Sequence, residues 1–324
     1  MIYLIIIFCL ILIMLAYFKL ADKYKIIDKP NERSSHKEVA IRGGGVLFPI
    51  SILFWSIIEC VFNPFIIGLL LISIISFIDD CKPLSNKIRI SIHFLSIGLL
   101  LYQLGFSEYS LIAWGLSLLF VGGWINAFNF MDGINGITVL YSLSILVICY
   151  YLNTQVNFIQ ESFLLYTCTG LVVFGFYNVR NKAKSFAGDV GSVSMAFIIS
   201  FIVLSLILFT KNWQYVLLVS VYGIDSLVTI IQRLVRKENI FKAHRSHLYQ
   251  YLANEAQWPH VMVSIMYALI QLILNAGLVF YIIPNNNHLF GIVYLGFQGG
   301  VYLWVKLSLM KRLNINRLFN PDNA

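Results

Sequence analysis

The sequence predicts an all-α polytopic integral membrane protein of about 11 transmembrane helices, and three observations carry that prediction. Charged residues make up 12% of the 324 positions, about half of the ~25% usual in a soluble domain. Hydrophobic residues make up 59%, and mean hydropathy is +0.80. A soluble protein of this size could not bury so much apolar surface, and a disordered chain would not carry it. Apolar runs near the ~17–25 residues that cross a bilayer recur along the whole chain.

In chain order the spans are expected at 1–18, 43–62, 65–78, 88–105, 110–128, 134–152, 162–179, 190–209, 214–231, 261–282 and 289–308. The first has neither the basic leader nor the small-residue cleavage site of a signal peptide, so it reads as a retained helix. Asn63–Pro64 makes the turn before the third span, which is short and is ended by Asp79–Asp80. On one side the connections are brief: Asn63–Pro64, Phe106–Tyr109, Asn153–Glu161, Thr210–Gln214 and Pro284–His288. They leave no room for an outer domain. The basic residues gather on the other side, in 19–42, 82–89, 180–184, 233–245 and the tail from Lys311. Only Lys211 falls opposite, and Lys306 sits at the edge. Bases collect on the cytoplasmic side, which puts the N-terminus outside and the C-terminus in the cytoplasm.

Residues 1–324 then form a single transmembrane domain, with chemistry confined to the cytoplasmic segments 19–42, 79–89, 126–136, 180–192 and 232–260. The net charge of +8 is sorted by side. It therefore points to topology, anionic membrane lipid and phosphorylated substrates, and not to nucleic acid. The five cysteines (Cys9, Cys60, Cys81, Cys149, Cys168) form no CxxC pair and read as small hydrophobes.

The acidic residues divide into two groups. Asp22, Asp28, Glu32, Glu38, Glu238, Glu255 and Asp322 are mixed among bases and read as their solvated partners. Asp79, Asp80, Asp132, Asp189 and Asp225 lie at or just inside the inner ends of apolar spans, without a basic residue beside them. A carboxylate there costs a few kcal/mol, and two adjacent ones repel. A divalent cation would offset both, and Mg²⁺ is held by one or two carboxylates plus substrate phosphates. A lone acid at a helix end is more often a cap than a ligand. Here, however, the settings are rich in glycine and asparagine: Asn126 to Gly136, with Asn126, Asn129 and Asp132 three apart, and Gly188-Asp189-Val190-Gly191-Ser192. Residues three apart share one helix face, glycine admits close approach, and helix N-termini favour phosphate. Asp225 fits a site role and a structural role equally well.

Among the histidines, His93 reads as interior, and His260 and His288 as helix-edge residues. His36 follows Arg33 and precedes Arg42-Gly43-Gly44-Gly45. His244, Arg245 and His247 share the longest inner loop. Arg and His beside glycines suit phosphate oxygens. Zinc at the two loop histidines would need further ligands, and no cysteine lies near them in sequence.

These segments together resemble the polyprenyl-phosphate N-acetylhexosamine-1-phosphate transferases, glycosyltransferase family 4, which initiate peptidoglycan, O-antigen and related glycans. Five inner loops carry the resemblance in order. They are Arg33-Ser34-Ser35-His36 with Arg42-Gly43-Gly44-Gly45; Asp79-Asp80 with Pro83 to Arg89; Asn126 to Gly136; Phe186 to Ser192; and His244-Arg245-Ser246-His247-Leu248-Tyr249, the last in the form of O-antigen-type initiating transferases.

The resemblance implies transfer of a sugar 1-phosphate from a UDP-N-acetylated sugar to undecaprenyl phosphate. The products are undecaprenyl-diphospho-sugar and UMP, with Mg²⁺ (or Mn²⁺ in its place) as cofactor. It implies a bacterial inner (cytoplasmic) membrane enzyme whose active site faces the cytoplasm, and it leaves a homodimer open. By resemblance, Asp189 is the principal metal ligand, and Asp79 and Asp80 sit at the reaction centre as metal ligand or general base. Asp132 with Asn126 and Asn129 forms the catalytic, nucleotide-binding third loop. Phe186 stands where the family stacks uracil, Lys87 helps hold phosphate, and Arg33 and His36 belong to the substrate-binding first loop. His244, Arg245 and His247 form the diphosphate-facing loop.

Three positions depart from the family pattern: Asn135 replaces a second acid, Ser246 replaces a further histidine, and Val39-Ala40-Ile41 replaces prolines. A transporter using inner-edge carboxylates is the rival reading. Transporters, however, usually place ionisable residues near the midplane. A scaffold for envelope assembly would need none of the aspartates.

Overall fold

The computed structural model describes residues 1–28, 39–240, 244–285 and 287–315. The expected site residues Arg33 and His36 lie outside the described residues. The chain is an all-α polytopic membrane protein. Its long helices are α1 (Ile2–Tyr24), α2 (Leu47–Ile58), α3 (Pro64–Cys81), α4 (Asn86–Gln103), α5 (Leu111–Met131) and α6 (Ile137–Val156). They continue with α7 (Glu161–Asn178), α8 (Gly188–Thr210), α9 (Ser220–Val235), α11 (His260–Gly277) and α12 (His288–Arg312). A single turn, α10 (Leu248–Gln250), follows the fifth inner loop, and strands β1 (Ile27–Asp28) and β2 (Ala40–Ile41) pair antiparallel at the end of α1.

Among the described residues, 8 helical segments are long and apolar enough to cross a membrane. Each of the other three expected spans also holds a helix. Of these, α2 has 12 residues, while α4 and α7 have 18 each and begin on polar residues.

Helix starts follow the capping chemistry in the sequence. Asn63 accepts from the Ile66 amide at 3.1 Å with Pro64 at the first helical position, and Ser110 accepts from the Ala113 amide at 3.3 Å. Two helices run past their expected ends in a way that matters for the site. Asp79 and Asp80 ride the last turn of α3, and Asn126 and Asn129 the last turns of α5.

Helix α8 is the hub, packed against α2, α3, α5 and α6. Peripheral helices turn apolar side chains outward, as with Leu111, Ile112 and Leu116 on α5 and Phe297 and Trp304 on α12, which is the lipid-facing pattern.

The chain enters α9 through a 3₁₀ stretch, Trp213–Val219. Irregular backbone at membrane depth must find partners in protein, and here buried side chains supply them. Asn275 Nδ2 donates to the Leu218 carbonyl at 3.1 Å, and the Val221 amide donates to Gln271 Oε1 at 3.0 Å. The Tyr222 amide donates to the Tyr141 hydroxyl at 3.3 Å, while the two rings stack. Lys306 is not at the aqueous edge as expected. It is fully buried and donates to Thr229 Oγ1 at 2.7 Å, because a hydroxyl on α9 offers it an acceptor inside the bundle.

Candidate active site

The inner ends of the helices meet in one carboxylate–guanidinium cluster. Asp80 is at its centre, with a fully buried side chain. Its Oδ1 accepts from Arg42 Nε at 2.6 Å and from the Asp189 amide at 2.9 Å, and its Oδ2 accepts from the Val190 amide at 2.9 Å. The acid at the end of α3 therefore caps the N-terminus of α8, where the helix dipole favours it. Gly188 permits this approach: its φ is +71°, and a Cβ there would lie 2.5 Å from Asp80 Oδ2.

Arg42 also reaches Asp189 Oδ1 through Nη2 at 3.2 Å. Arg89 joins the remaining pair, with Nη1 2.7 Å from Asp79 Oδ2 and Nη2 3.4 Å from Asp189 Oδ2. Asp79 Oδ1 accepts from the Leu84 amide at 2.7 Å. The expectation that these aspartates lack basic neighbours is therefore corrected. Arg42 and Arg89 are distant from them in sequence or on the next helix, and folding brings them in. The basic residue that reaches the carboxylates from the second loop is Arg89, while Lys87 is exposed.

Arg42 is held by backbone. Its amide donates to the Ile26 carbonyl at 3.2 Å, and its carbonyl accepts from the Tyr17 hydroxyl at 2.5 Å. The first and fourth loops are zipped together alongside. The Phe186 amide donates to the Ile41 carbonyl at 2.8 Å, the Gly44 amide to the Phe186 carbonyl at 2.9 Å, and the Gly45 amide to the Ala187 carbonyl at 3.0 Å. Phe186 is half-buried at this junction. The departure at Val39-Ala40-Ile41 has a structural reading, since residues 40 and 41 form β2 and a proline would remove a ladder donor.

The third loop borders the same cluster. Asn129 Oδ1 accepts from the Ser192 hydroxyl of α8, and Asn126, one turn earlier, is exposed. Asp132 Oδ1 accepts from Thr138 Oγ1 at 2.5 Å. Burial pushes Asp132 up to about 7, against the Thr138 hydrogen bond, with Asp189 and Asp80 adding to the rise. Asn135 explains the missing second acid. Its Nδ2 donates to the carbonyls of Arg180 and Asn181 at 2.8 and 3.2 Å, two bonds that an aspartate could not donate.

The fifth loop arrives from the α9 side. His247 Nδ1 lies 2.7 Å from Asp225 Oδ1, both buried, so Asp225 has its partner in this loop. The His244 and His247 rings stack with centroids 5.1 Å apart, and Phe130 of α5 lies 6.1 and 6.3 Å from them. Burial first, then His247, Arg233 and Lys306, lowers His244 to about 3. Arg245 is half-buried beside them, and Ser246 is buried.

For Mg²⁺, the donor chemistry of the set is suitable at Asp79 and Asp189. Their side chains are 9% and 17% exposed and share one guanidinium. Among the described residues no group of three or more His, Cys, Asp or Glu side chains has metal-holding geometry. Two carboxylates suffice when substrate phosphates complete the shell. Asp80 was expected as a second ligand beside Asp189, but its buried carboxylate is committed to Arg42 and two amides.

A helical membrane protein with acids, guanidiniums and amide-lined helix starts gathered at one end is of the class that handles phosphorylated compounds at a bilayer surface. The sequence pattern of Glycosyl transferase family 4 matches residues 62–207, which hold the second, third and fourth loops. A probable undecaprenyl-phosphate N-acetylglucosaminyl 1-phosphate transferase of Bacillus subtilis is 24% identical over 261 residues, 72% of this chain and 71% of that protein. A phospho-N-acetylmuramoyl-pentapeptide-transferase of Borreliella burgdorferi is 28% identical over 315 residues, 82% of this chain and 87% of that protein. An undecaprenyl-phosphate alpha-N-acetylglucosaminyl 1-phosphate transferase of Thermotoga maritima is 23% identical over 274 residues, 81% and 85% of the two chains. The chain thus carries the Glycosyl transferase family 4 pattern over residues 62–207 and is similar over most of its length to transferases of phosphorylated sugars.

Proposed function

We propose that the protein transfers an N-acetylated sugar 1-phosphate from a UDP-sugar to undecaprenyl phosphate, releasing UMP. The product, undecaprenyl-diphospho-sugar, would initiate a cell-envelope glycan such as O-antigen. The observation that carries this reading is the junction at Asp80, where the first loop, the second loop and the N-terminus of α8 share one carboxylate and one guanidinium. The names of the relatives support the same substrate class. The enzyme is placed in the bacterial inner membrane with eleven spans, the N-terminus outside and the site facing the cytoplasm, a reading supported by the sorting of the bases.

Phosphoryl transfer needs charge neutralisation and in-line positioning more than covalent help. Arg42 and Arg89 present fork-shaped donors to phosphate oxygens. Asp189 and Asp79 would hold Mg²⁺, which when bound supplies further neutralisation of the diphosphate. Asp80 keeps α8 and Arg42 in register. Asp132, at about 7, is matched to accept a proton from the lipid phosphate near neutral pH. Asn129 and Phe186 border the place for the nucleotide. These inner-edge positions favour catalysis over ion transport across the midplane.

The test is UMP release by purified protein given undecaprenyl phosphate, Mg²⁺ and a panel of UDP-sugars. Silence with every sugar would refute the reaction. Asp189→Asn is expected to lower UMP release about 10²–10³-fold while leaving the melting temperature near the parent's, because Asp80 still caps α8. Full activity in that variant would remove Asp189 from the machinery. The rate is also expected to fall as pH drops through about 7, where Asp132 takes up a proton. Thr138→Val should move that limb to higher pH, because the lost hydroxyl stabilises the charged form. An unmoved limb would detach it from Asp132.

A further inference from the structure

Asp225 lies in α9, apart from the carboxylate cluster, and is fully buried. Three donors reach it. His247 Nδ1 lies 2.7 Å from Oδ1, Thr229 Oγ1 donates to Oδ1 at 3.4 Å, and the Tyr267 hydroxyl donates to Oδ2 at 2.7 Å. Lys306, equally buried, donates to the same Thr229 hydroxyl at 2.7 Å. One hydrogen-bonded chain thus runs from α12 through α9 into the fifth loop.

Two consequences follow for His247. A carboxylate only accepts, so Nδ1 carries the proton on this side of the ring, and in the neutral imidazole Nε2 then holds the lone pair. Lys306 and Asp225 share the Thr229 hydroxyl, which brings a second basic group close to the carboxylate besides the imidazole. The other ring nitrogen, Nε2, is buried with no hydrogen-bond partner among the described residues. It lies beside the rings of His244, Phe130 and Tyr249, and the Tyr249 hydroxyl is anchored to the last turn of α5 through the Phe130 carbonyl at 2.9 Å. A buried acceptor left without a donor is costly, and this one lies at the edge of the third loop.

We propose that Asp225 is a positioning residue acting through His247: it fixes the imidazole proton on Nδ1, so that Nε2 accepts a hydrogen bond from a hydroxyl or amide N–H of the nucleotide sugar. This rests on the transferase reading of the site. It assigns His247 to an uncharged donor group of the substrate and leaves the phosphate oxygens to the arginines. Lys306, in the last helix, belongs to the same device as the counter-charge.

The experiment uses the full chain in lipid nanodiscs with ¹⁵N-labelled histidine, and His247→Gln to assign the resonance. The parent is expected to show His247 as the neutral tautomer protonated at Nδ1. The paired variant Asp225→Leu with Lys306→Met removes both charges together, so that no lone buried charge remains. It should lose that tautomer and lower kcat for UMP release about 100-fold, with KM for UDP-N-acetylglucosamine within about threefold. Tyr267→Phe, which touches only the other carboxylate oxygen, should keep both the tautomer and kcat within about threefold. A parent His247 protonated at Nε2 at neutral pH, or a folded paired variant with kcat unchanged, overturns the proposal. If the paired variant does not fold, the parent spectrum and Tyr267→Phe decide. An Nδ1 tautomer in a parent that releases no UMP counts against the reaction alone.

Discussion

Replacing Arg42 with methionine is expected to destabilise the protein by about 3–5 kcal/mol, the usual cost of leaving a buried charge without its partner. The Asp80 side chain is fully buried, and among the described residues Arg42 Nε is its one charged donor at hydrogen-bond distance, 2.6 Å away. The same substitution frees Asp189 Oδ1 from Nη2. UMP release should therefore fall with stability, read as a lowered melting temperature in detergent and a loss of rate in the proposed assay. Arg42→Lys should recover little, because an ammonium cannot bridge two carboxylates as a planar fork does. Adding Asp80→Asn to Arg42→Met should restore part of the melting temperature, since the uncompensated charge is then gone. A paired variant no more stable than the single one would show that the Arg42–Asp80 contact does not carry the loss.

The second large effect is expected at Gly45. A Cβ there would collide with the Gly191 Cα and lie 2.8 Å from the Ala187 carbonyl oxygen, and Gly191 in turn would meet the Gly45 Cα at 2.8 Å. Backbone faces backbone at this point, so no side chain can move aside. Small residues serve helix contacts in membranes in this way. Gly45→Ala is expected to cost about 3 kcal/mol or more and to pull the first loop from the start of α8, with loss of activity. Gly123→Ala on α5, where a Cβ meets nothing within 4 Å, is the control and should be silent in both measurements. A stable, active Gly45→Ala protein would mean that the loop tolerates separation from α8.

The parts of the site that are legible in the sequence are those that violate a local rule. Asp79, Asp80, Asp132 and Asp189 stand out because a carboxylate at the end of an apolar helix is costly, and the structure gathers them at one end of the bundle. Arg42 and Arg89 stand out as motif residues suited to phosphate, but nothing local marks them as partners of these acids. Their pairings span separations such as 38 and 147 residues, which no local pattern reveals. Lys306 is hidden for a related reason: a lysine near the end of a span resembles a boundary residue unless its acceptor on another helix, here Thr229, is known. The helix ends beyond Asp80 and Asn129 are not legible, because polar side chains at the end of an apolar run look like loop. In the folded chain those side chains bond to α8, which lets the helices continue.

The contacts at Asp80 also set an order of assembly. Arg42 and Asp80 lie 38 residues apart and can pair once the first three helices have entered the bilayer. The amides of Asp189 and Val190 that complete the same carboxylate follow 109 and 110 residues later. Until α8 is made, the end of α3 carries an acid whose final partners do not yet exist. Of its eventual partners, only the guanidinium of the first loop is at hand to shield it during synthesis.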